Sequence, residues 1–307
     1  MKSISKNISL QCPMCQASEL RMVNTYKHYW YICRMCEDAF RLRKERYLIN
    51  WLPRFLLRIQ PKLAHFLPDS SVIEDSSRVY DYMATEEHVR HDEKVNAFEN
   101  FLTTLVDKHG VRFNGKSVLD ISGGNGSFAK KLQGLAEAVT MTEFNLPSVE
   151  YARKHYEIEA VRFDFQSNSI NEILEKKFDI VLLRAAIMFC LDVPKFVKDL
   201  KRILHPNAQV YLEVVPPTLG VFLRWQFDDH FYLRLYNTKT IVNIFEGEGF
   251  KLVSRSDNPS VNYLEDFSIA MKLAQLAYAL PASLMSLSWN HRIYNPNLLF
   301  NFDSHKS

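Results

Sequence analysis

Short apolar runs alternate with amphipathic stretches between residues 117 and 254, which is the pattern of strands and helices taking turns along a chain. The predicted strands are, in order, 117–121, 138–143, 160–163, 178–183, 209–215 and 250–254. The predicted helices among them are 128–135, 146–155, 193–204 and 238–248. Such alternation predicts an α/β fold, a parallel sheet covered by helices on both faces.

The flanking segments carry weaker patterns. Residues 76–109 are predicted to be helical, because apolar residues recur there at helical spacing. Residues 46–67 mix apolar and basic residues around two prolines, so they suit either a linker packed on the next domain or a segment lying on a membrane. Residues 266–273 suit either a closing antiparallel strand or the start of a helix. The apolar stretch 273–287 suits packing on the core, dimerisation or membrane contact, in that order.

Composition narrows the class of protein. Apolar residues are 47% and charged residues 24% of the 307, as in ordinary globular proteins, which excludes a disordered or collagen-like chain. No apolar run follows the first lysines, and no long uncharged apolar stretch occurs. We therefore expect neither a secretory signal nor a membrane span, and a cytoplasmic location.

Charge is distributed unevenly. Residues 1–67 contain 12 Lys or Arg against 4 acidic residues, a net charge of +8; since the whole chain carries +3, the remainder carries −5. This asymmetry indicates either an N-terminal segment that faces an anion or a solvated basic surface.

Four of the five cysteines form two Cys-x2-Cys pairs separated by seventeen residues: Cys12, Cys15, Cys33 and Cys36. This spacing suits one tetrahedral zinc ion held by four thiolates, and such a closed site is structural. A ribbon of this size buries little core, so the metal would supply much of its folding free energy. The fifth, Cys190, has no partner of this kind and is predicted to be a buried apolar residue.

A glycine-rich turn follows the first predicted strand. Three of the nine glycines stand at 123, 124 and 126, between the strand and a helix. Glycine there permits positive φ and close approach of a ligand to the backbone, and the helix N–H groups favour an anion. Residues 124–129 also satisfy G-x-G-x-x-A, so a nicotinamide cofactor is an alternative.

Acidic residues end three neighbouring predicted strands: Asp120, Glu143 and Asp164. Glu143 is placed to accept both hydroxyls of a ribose, and Asp164 with Phe165 to hold an adenine. With Asp120-Ile-Ser122-Gly123-Gly124-Asn-Gly126, this set resembles the class I S-adenosylmethionine-dependent methyltransferases, over about residues 112–256. Ser122 replaces the first glycine of the family's D-x-G-x-G-x-G motif, and Asn207-Ala208 replace the later glycine pair.

The resemblance implies a Rossmann-like methyltransferase sheet, preceded here by a small zinc ribbon, and implies S-adenosylmethionine as cofactor. The expected cofactor contacts are Asp120, Ser122, Gly123, Gly124, Gly126, Glu143, Phe144, Asp164, Phe165 and Arg184. The turn lacks a basic residue, as expected where no pyrophosphate is bound. The domain boundaries we expect are 1–45 for the ribbon, 46–110 for a helical linker or lid, 111–272 for the methyltransferase domain and 273–307 for an apolar tail.

The acceptor chemistry needs a general base if a hydroxyl or carbon is methylated. Relatives acting on sugars often carry histidine after the fourth strand, where this chain has Phe189. The candidate catalytic residues are instead Asp229, His230 and Tyr232, an imidazole beside carboxylates. A structural role for this histidine is equally compatible with the sequence.

The cysteine ribbon combined with the Asp229–His230 pair resembles the deoxysugar C-methyltransferases and related polysaccharide-cluster methyltransferases. In that resemblance Tyr80 and Tyr82 reach toward the acceptor. The C-methyltransferases carry a further C-terminal α/β domain, which we do not expect in this sequence after about residue 270, so O- and N-methylation stay open. We expect a sugar-like small-molecule acceptor, with RNA gripped by the basic ribbon or a non-catalytic cofactor-binding protein as alternatives.

Overall fold

The computed structural model describes residues 12, 14–24, 28–43, 97–184, 186–215, 234–258 and 295–303. The N-terminal part is a small antiparallel sheet of three consecutive strands with a short fourth strand added from far along the chain. In sheet order these are β1 (Leu20–Asn24), β2 (His28–Cys33), β3 (Ala39–Arg43) and β9 (Arg234–Leu235). The ribbon is thus joined to the rest of the protein through a shared sheet.

The main sheet has seven strands in the order β10-β11-β8-β7-β4-β5-β6. They are β4 (Ser117–Ile121), β5 (Ala138–Glu143), β6 (Glu159–Arg162), β7 (Phe178–Leu183), β8 (Leu204–Glu213), β10 (Phe250–Asn258) and β11 (Asn295–Phe302). Strands β4 to β8 pair in parallel, whereas β11 pairs antiparallel with both β8 and β10. The predicted α/β class is confirmed.

The helices fall at the predicted positions, except for the short α4, which was not predicted. They are α1 (Ala97–Thr103), α2 (Ser127–Leu132), α3 (Leu146–Tyr156), α4 (Ile170–Ile173), α5 (Val193–Leu200) and α6 (Thr238–Gly247). Side-chain caps explain three of the starts, because an oxygen of the residue before the helix accepts a backbone N–H in its first turn. The capping residues are Asn145, Asp192 and Asn237.

Side-chain alternation divides the core into two layers. Val118, Ile180, Tyr211 and Leu299 pack with Phe128 on one face of the main sheet. Their neighbours along each strand, Leu119, Val181, Leu212 and Leu298, belong to the cluster on the opposite face. Both faces are therefore buried, as a parallel sheet between helices requires.

The C-terminal boundary was predicted wrongly. The domain was expected to end at 272, with 273–307 as a tail, but Asn295–Phe302 is an internal strand of the main sheet. Its burial explains this position: Leu298, Leu299 and Phe300 are completely buried between β8 and β10. A strand buried on both faces shows no polar alternation, which made it look like a generic apolar segment. The alternatives for 266–273 and 273–287 lie outside the described residues.

The helix before the domain is confirmed only in its last part. Within the predicted helix 76–109, α1 and the π-helical turn Thr104–Lys108 cover one face of the main sheet. Phe101 contacts the rings of Phe128 and Tyr211 edge-on, at centroid distances of 5.0 and 5.2 Å. The segment 46–67 and residues 76–96 lie outside the described residues. No helix in the described ranges is long and apolar enough to cross a membrane.

His109 should make stability depend on pH. It is buried, its Nε2 lies 2.8 Å from Ser256 Oγ, and burial together with the Lys108 charge holds its pKa below the ordinary 6.5. As pH falls, the His109 imidazole is therefore protonated in the unfolded chain before it is protonated in the folded protein. The contribution of the neutral, buried imidazole to the free energy of unfolding is present above pH 6.5 and is lost as pH falls below that value. We expect His109→Gln to lose less stability than the wild type between pH 7.5 and 5.5 in chemical denaturation. Parallel curves for the two proteins would contradict this.

Candidate functional site

The strand order reverses at β4, which has β5 on one side and β7 on the other. In open α/β sheets a crevice forms at the carboxyl ends of the strands at such a reversal, and ligands bind there. The glycine turn 122–126 lies at this point, directly after β4 and before α2. The fold therefore brings the predicted motif to the position where a ligand site is expected.

The turn is built on three left-handed residues. Ser122, Gly124 and Gly126 have φ of 59°, 61° and 86°. A Cβ on Gly126 would lie 2.8 Å from Ala152 Cβ and a Cβ on Gly123 would lie 3.0 Å from Asp120 Oδ2, so the turn is pressed against its neighbours. Such packing keeps the backbone N–H groups of the turn close to whatever occupies the crevice.

Ser122 stands where the methyltransferase motif has glycine, and it adopts the left-handed conformation that glycine favours. Left-handed φ costs a non-glycine residue about 1–2 kcal/mol, partly offset by the larger entropy of an unfolded glycine. We expect Ser122→Gly to stabilise the protein by up to about 1 kcal/mol and to leave cofactor binding within a few-fold. Urea denaturation and titration with S-adenosylhomocysteine measure the two effects, and a clear loss of stability would refute this account of the turn.

Glu143, at the end of β5, is held by backbone donors. Its Oε1 accepts the N–H of Phe144 at 2.8 Å and of Asn145 at 3.1 Å, and its Oε2 accepts the N–H of Gly124 at 3.0 Å. Burial raises the pKa of this carboxyl, and the three N–H bonds oppose that shift. The carboxylate therefore joins β5 to the glycine turn and is fixed at the crevice.

Asp120 and Arg184 form a buried ion pair beside the turn. Arg184 Nη2 lies 3.2 Å from Asp120 Oδ2, and the guanidinium lies over the Phe128 ring at 4.1 Å. Burial raises the pKa of Asp120, while the arginine charge lowers it. Among the described residues, Asp120 Oδ1 and Arg184 Nε have no hydrogen-bond partner. The predicted contact residue Arg184 thus points at the predicted contact residue Asp120.

Three more predicted contacts lie at the ends of β5 and β6. Phe144 is 38% exposed, so its ring is open to a ligand. The Asp164 carboxylate accepts bonds from Gln166 N–H at 2.9 Å and Ser167 Oγ at 2.7 Å. Phe165 packs edge-on against Phe163 and Phe196, within the core cluster. Phe144 is the aromatic side chain of this set with the most open ring.

The four paired cysteines converge. Their sulfur atoms all lie within 4.8 Å of one another, with Cys12 to Cys36 at 3.6 Å and Cys15 to Cys33 at 3.5 Å. A tetrahedral zinc ion with Zn–S bonds of about 2.3 Å requires thiolates roughly 3.8 Å apart, so this donor set fits the ion. Backbone N–H groups of Met14 and Met35 also point at the Cys12 and Cys33 sulfurs.

The second cysteine pair is docked on the start of α6. The buried Asp38 accepts the backbone N–H of Asn237 at 2.7 Å, and Thr240 Oγ1 donates to the Cys36 carbonyl at 3.3 Å. Tyr236, between β9 and α6, donates to the Cys190 carbonyl at 2.6 Å. The ribbon is therefore linked to the segment that follows β7 through the connection between β9 and α6.

The candidate catalytic residues Asp229, His230 and Tyr232 lie outside the described residues, as do Tyr80 and Tyr82. Phe189 lies in the 3-10 turn Ile187–Phe189 after β7, as the alignment of motifs predicted. Cys190 is buried, as expected for an apolar role.

Two polar residues at the carboxyl edge of the parallel strands were not predicted from the sequence. Glu213 ends β8, but the predicted strand extended to 215 and placed it inside. Asn297 lies in the strand mistaken for a tail.

Residues 88–255 match a family described as "Methyltransferase domain". The match covers more than half of the chain, so the chain belongs to this methyltransferase family. Two curated relatives are ubiquinone biosynthesis O-methyltransferases. That of Actinobacillus pleuropneumoniae serotype 5b (strain L20) is 22% identical over 116 residues, 36% of this chain and 50% of the relative. That of Pasteurella multocida (strain Pm70) is 24% identical over 117 residues, which are 34% of this chain and 48% of the relative. The chain spans about half the length of these relatives.

The fold is also found in solved structures. The N-methyltransferase NodS from Bradyrhizobium japonicum WM9, crystallised with S-adenosylhomocysteine, superposes with a TM-score of 0.50 at 13% identity. The superposition covers 74% of this chain and 98% of NodS. At this identity the likeness establishes the shared Rossmann-like methyltransferase fold.

Proposed function

We propose that the chain transfers the methyl group of S-adenosylmethionine to a small-molecule acceptor, a nucleotide sugar, a glycan or a natural product. The observation that carries the acceptor class is the docking of the ribbon. Ala39 of β3, Leu235 and Tyr236 belong to the same core cluster as the turn after β7. We infer that the ribbon, joined to this cluster through β9, would form a wall on the acceptor side of the sheet. Such a wall suits an enclosed small molecule better than an open nucleic-acid surface.

The glycine turn and Glu143 would hold the cofactor. The methionine carboxylate would lie against the glycine turn at the start of α2. The N–H groups of Gly123 and Gly124 already donate to the Thr142 carbonyl and to Glu143 Oε2, so they would support the turn, and the remaining lone pairs of the Glu143 carboxylate suit the ribose hydroxyls. Phe144 offers its exposed ring to the adenine. Asp120 presents a buried, unpartnered oxygen toward a donor. Ser122, Gly126 and Arg184 shape this cradle, and Asp164 with Phe165 closes its β6 side.

When bound, S-adenosylmethionine would supply a methyl group whose carbon an in-line nucleophile attacks. The C–S bond would break, and S-adenosylhomocysteine, a neutral thioether, would leave. The protein's main contribution is alignment, since the turn and Glu143 fix one partner and the β7–β8 edge the other. A hydroxyl or carbon acceptor must also lose a proton. Because Phe189 carries no base, we assign the proton to His230, with Asp229 and Tyr232, its neighbours in the sequence, as the other candidate catalytic residues.

We propose that Cys12, Cys15, Cys33 and Cys36 bind one structural zinc ion. Four thiolates close the coordination sphere, so the ion would stabilise the ribbon without touching substrate. Since the ribbon shares a sheet with β9, its folding would also hold the start of α6 in place.

Purified protein should therefore contain about one zinc ion per chain, and Cys33→Ser should remove most of it. We expect hydrogen exchange at β1 to β3 to lose its protection at the same time, because the metal supplies folding free energy there. Cys190→Ala is the matched control and should keep the zinc. A metal-free protein with a fully protected ribbon would contradict the assignment.

The acceptor class is tested by incubating the protein with methyl-labelled S-adenosylmethionine and a fractionated lysate of the source organism. Label in small polar molecules or glycolipids supports the proposal. Label in RNA would overturn it and make the basic N-terminal segment a phosphate-binding surface, with a steep loss of affinity in salt. Cofactor binding with no label in any fraction would instead favour a protein that binds without catalysing.

A further inference from the structure

A row of polar side chains crosses the same sheet edge, from Arg184 in the proposed cofactor cradle outward to β10. The row follows from the strand pairing. Leu183 of β7 pairs with Leu212 of β8, so the next residues, Arg184 and Glu213, are neighbours. Glu213 pairs in turn with Asn297 on β11. Asn297 in turn pairs with Ser256 on β10. Residues paired in a sheet project to the same face.

That face is the one covered by α1. Two positions away along each strand, Leu182, Tyr211 and Leu299 all belong to the cluster beneath α1. Since side chains alternate along a strand, Arg184, Glu213 and Asn297 project to the same side. Burial raises the pKa of both the Asp120 and the Glu213 carboxyl, and the Arg184 charge lowers the pKa of both, which agrees with this placement.

Unpaired polar atoms are concentrated along this row. Among the described residues, eight buried side-chain nitrogen or oxygen atoms have no hydrogen-bond partner, and five of them lie on this one face. They are Asp120 Oδ1, Arg184 Nε, His109 Nδ1 and both amide atoms of Asn297. Asn297 is completely buried. A buried amide with neither atom paired is costly to the free protein, and its presence points to a ligand that pairs it.

We propose that Glu213 and Asn297, with Arg184 beside them, form the subsite that binds the methyl acceptor. This inference rests on the proposed small-molecule function and deepens it. Adjacent strands lie roughly 4.8 Å apart, so Asn297 is about 10 Å from Arg184 along the row. Glu213 is partly exposed, whereas Asn297, on the next strand, is completely buried.

The chemistry of the row selects a polyhydroxylated acceptor. An amide offers both a donor and an acceptor, a carboxylate offers acceptors only, and a guanidinium offers donors only. Vicinal hydroxyls of a sugar satisfy all three, since each hydroxyl donates and accepts. Asn297 would bind a part of the acceptor remote from the methylated atom, and thus govern acceptor affinity and specificity.

The test replaces Asn297 by leucine, which has nearly its shape without its polar atoms. Asn301→Leu, on the same strand but at the far end and bonded to Gln209, is the matched control. Three quantities are compared with wild type: the thermal unfolding midpoint, the affinity for S-adenosylhomocysteine, and the initial rate of label transfer into the polar lysate fraction.

We expect Asn297→Leu to unfold at the same or a higher temperature, to bind S-adenosylhomocysteine within twofold of wild type, and to transfer label at least tenfold more slowly at limiting extract. Saturating extract should restore part of the rate. An unfolding midpoint several degrees lower would show that the amide is structural and would overturn the subsite, as would transfer at the wild-type rate.

If wild type labels RNA instead, the proposed function fails, and the ratio of variant to wild-type transfer into RNA still judges the role of Asn297. If wild type labels no fraction, the unfolding comparison decides: a stabilised variant supports an unfilled site and a destabilised one refutes it.

Discussion

Glu143→Ala should weaken S-adenosylhomocysteine binding at least about tenfold. The proposed ribose contact consists of hydrogen bonds to a charged group, each contributing roughly 1.5–3 kcal/mol, and about 1.4 kcal/mol is already a tenfold change. The variant also removes the acceptor of three backbone N–H groups, those of Gly124, Phe144 and Asn145. We therefore expect a loss of about 2–4 kcal/mol of stability as well, with calorimetric titration and urea denaturation as the measurements.

Two further variants separate the effects on binding and folding. Glu150 is exposed on α3, the helix after Glu143, so Glu150→Ala should change neither quantity measurably. Glu143→Gln keeps one acceptor oxygen, and should recover more stability than affinity. Wild-type affinity in a folded Glu143→Ala protein would remove Glu143 from the cofactor site.

Gly126→Ala should be the second variant with a large effect. The added methyl group would lie 2.8 Å from Ala152 Cβ and 3.2 Å from Met141 Sδ, and the residue must keep φ of 86°. The left-handed conformation costs an alanine about 1–2 kcal/mol and overpacking about 1–3 kcal/mol more. We expect a loss of about 2–4 kcal/mol of stability together with at least tenfold weaker S-adenosylhomocysteine binding, because α2 must shift relative to α3.

Gly247→Ala is the control for this substitution. A Cβ there meets nothing within 4 Å, and the residue is the last of α6. Alanine in a helix is favoured over glycine by up to about 1 kcal/mol, so this variant should be slightly more stable than wild type. If both glycine variants behaved alike, the tight packing of the turn on α3 would be refuted.

The parts of the fold that depend on local sequence patterns could be predicted from the sequence. Strands 117–121 and 178–183 were predicted with the bounds that the structure has, because short apolar runs ended by turn residues specify them. Asn207-Ala208 was expected to replace the family's later glycine pair, and Asn207, at the irregularity in the pairing of β8 with β7, does adopt φ of 62°. Asparagine tolerates that conformation better than most residues.

Long-range pairing was beyond the local patterns. The insertion of 295–302 between β8 and β10 depends on contacts across some ninety residues of sequence, since Leu298 pairs with Leu212. The pairing of β9 with β3 joins residues about two hundred apart. Neither Glu213 nor Asn297 could be assigned to the site from sequence. Their position at the carboxyl ends of the parallel strands is known only once the strand ends and the pairing of β8 with β11 are known.

The candidate site divides in the same way. The turn and the acidic strand ends were found because their chemistry is local: glycines after a strand, and a carboxylate where a strand stops. The ion pair of Arg184 with Asp120 was not found as a pair, since it joins β4 to the end of β7 across the sheet. The catalytic assignment of His230 stays a prediction.

A crystal structure of the S-adenosylhomocysteine complex tests the central claim most directly, through the distances from the Glu143 carboxylate to the two ribose hydroxyl oxygens. The account predicts hydrogen bonds of about 2.5–3.0 Å, with the methionine carboxylate at the glycine turn and the adenine beside Phe144. An adenosine bound elsewhere on the sheet edge, with its ribose out of reach of Glu143, would contradict it.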